Sequence, residues 1–252
     1  MDHAAIDLER EQLATLARPR YEYSAVAKSF FRSMDMLAGE EATLPKAKTI
    51  EALAPVPYRA WESREYGRLT RHPVEAGLVG EAEAVVRYGR EAQDNEFQHL
   101  RVISEKLAEE GRRDPRYLTR PLPDLMVASY VIMSGTLARV GLRRAFLLNA
   151  EFEDHAEHTY AEMVAAHPEW EEQPATGEAV RGYAAFRIFG RPRVEGASGG
   201  ASEFGSWADV FRRIGLDERD HRNASFALAG RPELIVEYEG MPEVPGRERA
   251  AA

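Results

Sequence analysis

Two short runs carry residues able to hold a metal. In Asn95-Glu96-Phe97-Gln98-His99 a glutamate and a histidine stand three apart, and Asp217-Glu218-Arg219-Asp220-His221 repeats the spacing. On a helix, residues three apart share a face. The first pair lies on a stripe with Ile103 and Leu107, the second on a stripe with Ile214 and Ser225, so both faces are expected to point inward. A lone Glu-x-x-His pair is more often a solvated helix face. Two inward pairs on two helices, with one further glutamate from each of two others, are what a helical bundle supplies to a di-metal site. Glu51 and Glu153 fall on two other long helical segments and complete that set. Carboxylate and imidazole suit iron or manganese, and bridging carboxylates let two cations share a small cavity. Without a metal, four carboxylates in a core would be very unfavourable to ionise together.

The elements that must position these residues are helical. Apolar residues recur mostly at three and four, between a few clusters of Pro and Gly. This pattern predicts helices over about 5–17, 22–38, 47–70, 74–111, 120–140, 141–166, 175–187 and 205–228. The segments at about 47–70, 74–111, 141–166 and 205–228 are long enough to form a four-helix bundle, with the others as additional short helices. The expected division is an N-terminal helical arm over 1–21, a bundle domain over 22–229 and a poorly ordered tail over 230–252. The run GRPRVEGASGGASEFG before the last helix reads as a flexible surface insertion or a lid. Leu234-Ile235-Val236 is the one strand-like run.

Composition removes other chemistries. The 252 residues include no cysteine, which excludes disulfides, zinc–thiolate sites, iron–sulfur clusters and a cysteine nucleophile. A net charge of −9 argues against nucleic acid as a partner. The opening MDHAAIDLEREQLATLARPR has no apolar run suited to a signal peptide. No stretch reaches the roughly 20 apolar residues of a spanning helix; LMVASYVIM, from Leu125 to Met133, is soon followed by Arg139, Arg143 and Arg144. A soluble, cytoplasmic protein is expected.

Four longer runs are more specific. They are Ile50-Glu51-Ala52-Leu53-Ala54-Pro55-Val56-Pro57-Tyr58, Glu91-Ala92-Gln93-Asp94-Asn95-Glu96-Phe97-Gln98-His99-Leu100, Glu153-Asp154-His155-Ala156-Glu157-His158-Thr159-Tyr160, and Asp209 through His221. In these runs, and in their order, the chain resembles alternative oxidase and its relative plastid terminal oxidase, ferritin-like di-iron proteins that pass electrons from quinol to oxygen. The resemblance implies an all-α, ferritin-like four-helix bundle with Glu51, Glu96, His99, Glu153, Glu218 and His221 as ligands of two irons. It implies that Tyr160 is the tyrosine beside the metals, and that Asn95 and Asp217 orient the imidazoles. Its partners would be dioxygen and a quinol or other small organic reductant.

The chain departs from the family in places. Ala52 stands where the family has Thr, and the family's histidine about two turns before the third glutamate has no counterpart among Arg144, Ala145, Phe146 and Leu147. His155 and His158 are extra, and their spacing from Glu153 turns them elsewhere, toward the surface. Glu157, one turn from Glu153, is the substitute should Glu153 not be the third carboxylate. Family members dock on one membrane leaflet; here the helix through Trp61-Glu62-Ser63-Arg64-Glu65-Tyr66 is too charged to sink into lipid. The more apolar 125–148 segment either meets headgroups weakly or packs against a second subunit, giving a homodimer. The expected activity is a quinol or hydroquinone oxidase; the alternatives are a soluble di-iron oxygenase or desaturase and a ferroxidase or iron-binding bundle. An apolar channel to the site would favour the first two.

Overall fold

The computed structural model describes residues 6–71, 76–112, 121–188, 191–192 and 204–245. Parts of three expected helix ends, most of the Gly/Ser-rich insertion and residues 246–252 lie outside them. The described chain is helical: α1 (Leu8–Ala17), α2 (Ala25–Ala38), α3 (Leu44–Leu53), α4 (Pro55–Arg71), α5 (Ala76–Glu109), α6 (Leu122–Val140), α7 (Leu142–Ala166), α8 (Glu178–Ala185) and α9 (Trp207–Leu228). A two-residue antiparallel pair, Arg187–Ile188 with Arg191–Pro192, is the exception to the all-helical expectation.

Local signals start the helices where they start. Thr43 accepts the Lys46 N–H with Pro45 in the first turn, Ser24 caps α2 through Ala27, and Ser206 caps α9 through Asp209. The helix expected as one piece over about 47–70 begins earlier and is interrupted at Ala54. Pro55 and Pro57 have no N–H to give to the carbonyls of Glu51 and Leu53, so the ladder breaks there.

Two buried apolar clusters lie on either side of a polar layer. One gathers Ile103, Leu107, Met163, Trp170, Phe211 and Ile214; the other gathers Tyr58, Trp61, Tyr88, Phe146, Ala224 and Ala227. Along each long helix the site residues fall between the two clusters, which fixes direction. α3–α4 and α9 run one way, α5 and α7 the other, and α6 returns the chain between α5 and α7.

The arm and the tail are integral to this body. α1 packs on α7 and α9, and buried Arg219 reaches Glu11 Oε2 (2.5 Å) and Thr15 Oγ1 (2.7 Å) on it and Glu157 Oε1 (2.8 Å) on α7. Arg18 closes the same group on Glu157 Oε2 at 2.5 Å. The tail, expected to be poorly ordered, is held on α9 through residue 245. Asn223 exchanges hydrogen bonds with the Val236 carbonyl and N–H (both 2.9 Å), Tyr238 donates to Asp220 (2.8 Å), and Val244 is buried. The strand-like run pairs with no strand, because its backbone is occupied by the Arg222 and Asn223 side chains.

Glu157 is thus an ion-pair partner, not a spare ligand. Glu157→Gln should destabilise the fold by about 3 kcal/mol, since buried Arg219 and partly buried Arg18 each lose one of their two carboxylate partners. The urea midpoint should fall while bound metal per folded chain stays unchanged. Loss of metal with the midpoint intact would move Glu157 into the site.

Candidate metal centre

The six expected ligands meet in the polar layer: Glu51 from α3, Glu96 and His99 from α5, Glu153 from α7, Glu218 and His221 from α9. None is more than 5% exposed. Among the described residues they form two donor groups, Glu51–Glu96–His99–Glu218 and Glu96–Glu153–Glu218–His221, and within each group one ligand atom per residue lies within 4.8 Å of every other. Glu96 and Glu218 belong to both. These buried groups can hold a metal ion.

Both imidazoles turn Nδ1 to the centre. His99 Nδ1 stands 3.1 Å from Glu218 Oε1 and 3.5 Å from Glu51 Oε2; His221 Nδ1 stands 2.9 Å from Glu96 Oε1 and 3.5 Å from Glu218 Oε2. Glu51 Oε2, both oxygens of Glu96, Glu218 Oε1 and both Nδ1 atoms are buried and make no hydrogen bond. Buried polar atoms are ordinarily paired, so a convergent set of unpaired ones is suited to hold a cation. The donor set fits: two divalent ions would neutralise the four carboxylates, and oxygen and imidazole donors suit iron or manganese.

Protons serve as counter-charge when metal is absent. Burial and the neighbouring carboxylates push Glu51 and Glu153 well above the usual range. Burial opposes the charging of His99 and His221, but the surrounding carboxylates outweigh it and raise both. Burial also works against ionised Glu96, yet His221 and His99 hold it below its usual range.

The supporting residues are partly those expected. Asp217 accepts from His99 Nε2 at 3.2 Å, which aims that ring, and also from Tyr183 (2.7 Å), Asn95 (3.1 Å) and Arg213 (3.1 Å). Asn95 therefore acts on the imidazole through Asp217, not directly. Tyr160 donates to Glu51 Oε1; its ring lies near Phe211, and Gly215 leaves it room, since a Cβ there would sit 3.2 Å from the Tyr160 Cβ. Burial and the adjacent carboxylates push its phenol pKa up, so it stays a proton donor.

Sequence reasoning missed Tyr58 and Asn149, which donate to Glu153 Oε1 at 2.6 and 2.8 Å. Asn149 sits one turn before Glu153, a spacing that could have revealed it. Ala52 is exposed and its position lies away from the centre. His158, expected at the surface, is buried against the Arg18 and Asp154 carbonyls because the strand of chain after α1 covers it. His155 is half-buried at the edge of a cavity.

That cavity, about 610 Å³ counting its open mouth, runs in beside Glu51, Glu96, Glu153 and Glu218. Phe30, Phe31, Met34, Leu53, Tyr130 and Phe152 make it apolar.

The protonation pattern sets a pH dependence. Glu51, Glu153, His99 and His221 hold protons more tightly folded than unfolded, so rising pH strips the unfolded chain first and lowers stability, from the usual carboxylate range upward. Glu96 acts oppositely, but only below that range. Chelator-treated protein should therefore melt at lower temperature at about pH 8 than at about pH 6, and added metal should abolish the difference. A flat or rising profile without metal would contradict the proton-compensated site.

No protein-family model matches the chain, and neither a curated protein nor a solved structure does. What it can bind follows from its own donors, which are buried, convergent and unpartnered.

Proposed function

We propose that the chain is a di-iron oxidase similar to alternative oxidase, oxidising a quinol or hydroquinone-like molecule and reducing dioxygen to water. The observation that carries this is the sharing of Glu96 and Glu218 between the two donor groups. Glu96 and Glu218 would help to hold both of two cations, with Glu51 and His99 completing one donor group and Glu153 and His221 the other. Iron held there would supply the redox couple that a reaction between an organic reductant and oxygen requires. The bundle order, with α6 as its crossover, fits a ferritin-like arrangement, and the apolar cavity beside Glu51 favours an organic substrate over a ferroxidase.

The chain's residues have distinct tasks. The aromatic cavity seats the reductant and excludes water from the donors. Tyr58 and Asn149 hold Glu153 Oε1, leaving its other oxygen for a metal. Asp217 holds the His99 proton at Nε2 and keeps Nδ1 bare for coordination. Tyr160 keeps its proton against Glu51 Oε1, one bond from the centre, where it can be delivered as oxygen is reduced. No helix among the described residues is long and apolar enough to cross a membrane. α6 exposes Leu125, Val131, Ile132 and Val140, the face we assign to a homodimer contact or weak membrane contact.

Freshly purified protein reconstituted with ferrous iron should hold about two ions per chain and consume oxygen when given a short-chain hydroquinone. Two irons without hydroquinone-driven uptake would move the assignment to an oxygenase with its own substrate, and failure to bind metal would end it. Glu96→Ala and Glu218→Ala should each lose both ions, whereas Glu51→Ala should retain one more readily. Tyr160→Phe should keep iron and lose most turnover, on the order of 10²-fold; an unchanged rate would reduce Tyr160 to packing.

A further inference from the structure

The substrate cavity has polar groups besides the metal donors, and two of them, Lys46 and Asn149, are fully engaged. Lys46 Nζ is spent on Asp35 Oδ1 (2.5 Å) and the carbonyls of Gly39 (2.8 Å) and Glu40 (3.4 Å). Asn149 Nδ2 serves Glu153, Ser225 and Tyr58. His155 differs. Its ring stacks on Phe31 with centroids 4.0 Å apart and 16° between planes, and both rings line the cavity. Arg20 Nη1 stands 3.0 Å from His155 Nδ1. A guanidinium has N–H groups and no acceptor. Nδ1 must therefore be the bare nitrogen, and the ring's proton sits on Nε2, on the edge turned away from Arg20. Among the described residues, Arg20 is the hydrogen-bond partner of this ring, and Nε2 makes no such bond.

We infer that His155 Nε2–H is the hydrogen-bond donor that receives an oxygen of the organic substrate, so that the cavity selects flat conjugated rings bearing a carbonyl or hydroxyl oxygen. This rests on the cavity being the seat of the organic substrate. Phe30, Phe31, Phe152 and Tyr130 form a continuous aromatic wall, with ring centroids 4.8 to 6.2 Å apart. Such a wall accepts a planar ring of many kinds and cannot by itself orient one. A single fixed donor at its edge supplies the orientation. Arg20, also paired with Glu162 at the surface, locks the tautomer and so acts as a positioning residue.

The test compares two probes of one shape, 1,4-naphthoquinone and 1,4-dimethylnaphthalene, by calorimetric titration into the full chain as purified. The wild type should bind the quinone about tenfold more tightly, the worth of one well-placed hydrogen bond. His155→Phe keeps the stacking ring and loses the donor; it should erase the difference and leave dimethylnaphthalene binding intact. Nitrogen NMR of the wild-type ring should find the proton on Nε2. Arg20→Met, a change at a partly exposed residue, should mix the tautomers and reduce the preference. Equal binding of both probes by the wild type, no quinone binding, or equal weakening of both by His155→Phe would overturn the inference. Hydroquinone-driven oxygen uptake with no such discrimination would leave the oxidase assignment standing and remove His155 from it. Discrimination without uptake would do the reverse.

Discussion

Everything in this molecule is arranged around the burial of four carboxylates and two imidazoles in one polar layer. Ionised carboxylates are strongly disfavoured away from water unless counter-charge stands beside them. In the chain alone that charge can come only from protons on the same groups, hence the upward displacement of Glu51, Glu153, His99 and His221. The layer tolerates this because an apolar cluster lies on each side of it and fixes the helices that carry it. Stability and the capacity to hold metal are here two sides of one electrostatic problem.

Outside the layer, other buried charges are compensated within the protein, and the contrast is informative. Arg213, Arg219 and Arg222 on α9 each find carboxylates: Asp217 and Asp220, Glu11 and Glu157, and Asp154. These pairs are closed, with their hydrogen-bonding atoms used. The central set is open, with its donor atoms bare. A bundle able to pair its arginines this thoroughly leaves six convergent ligand atoms unpaired only where something else completes them.

Much of this was legible in the sequence. Helical spacing placed Glu96 with His99 and Glu218 with His221, and most helix ends fell within a few residues because caps such as Thr43 and Ser206 are local signals. What periodicity could not reveal was covering by segments distant in the chain. His158 looked exposed on its own helix and is buried by residue 18; the tail looked unstructured and is stitched to α9 by Asn223. Tyr183 reaches Asp217 from the separate short helix α8, a contact no local pattern announces. The break at Ala54 was readable from two closely spaced prolines, and a long apolar period concealed it.

The clasp of Arg219 on Glu11 and Thr15 joins residues more than two hundred positions apart. Its consequence appears during synthesis on the ribosome. α1 emerges well before its arginine partner. α9 also brings Glu218 and His221, so until α9 is made neither donor group exists. Before then Glu96 stands without Glu218, the other carboxylate common to both groups. Arrival of α9 closes the clasp on α1 and completes both donor groups together, which links the capacity to hold a metal to the docking of this helix.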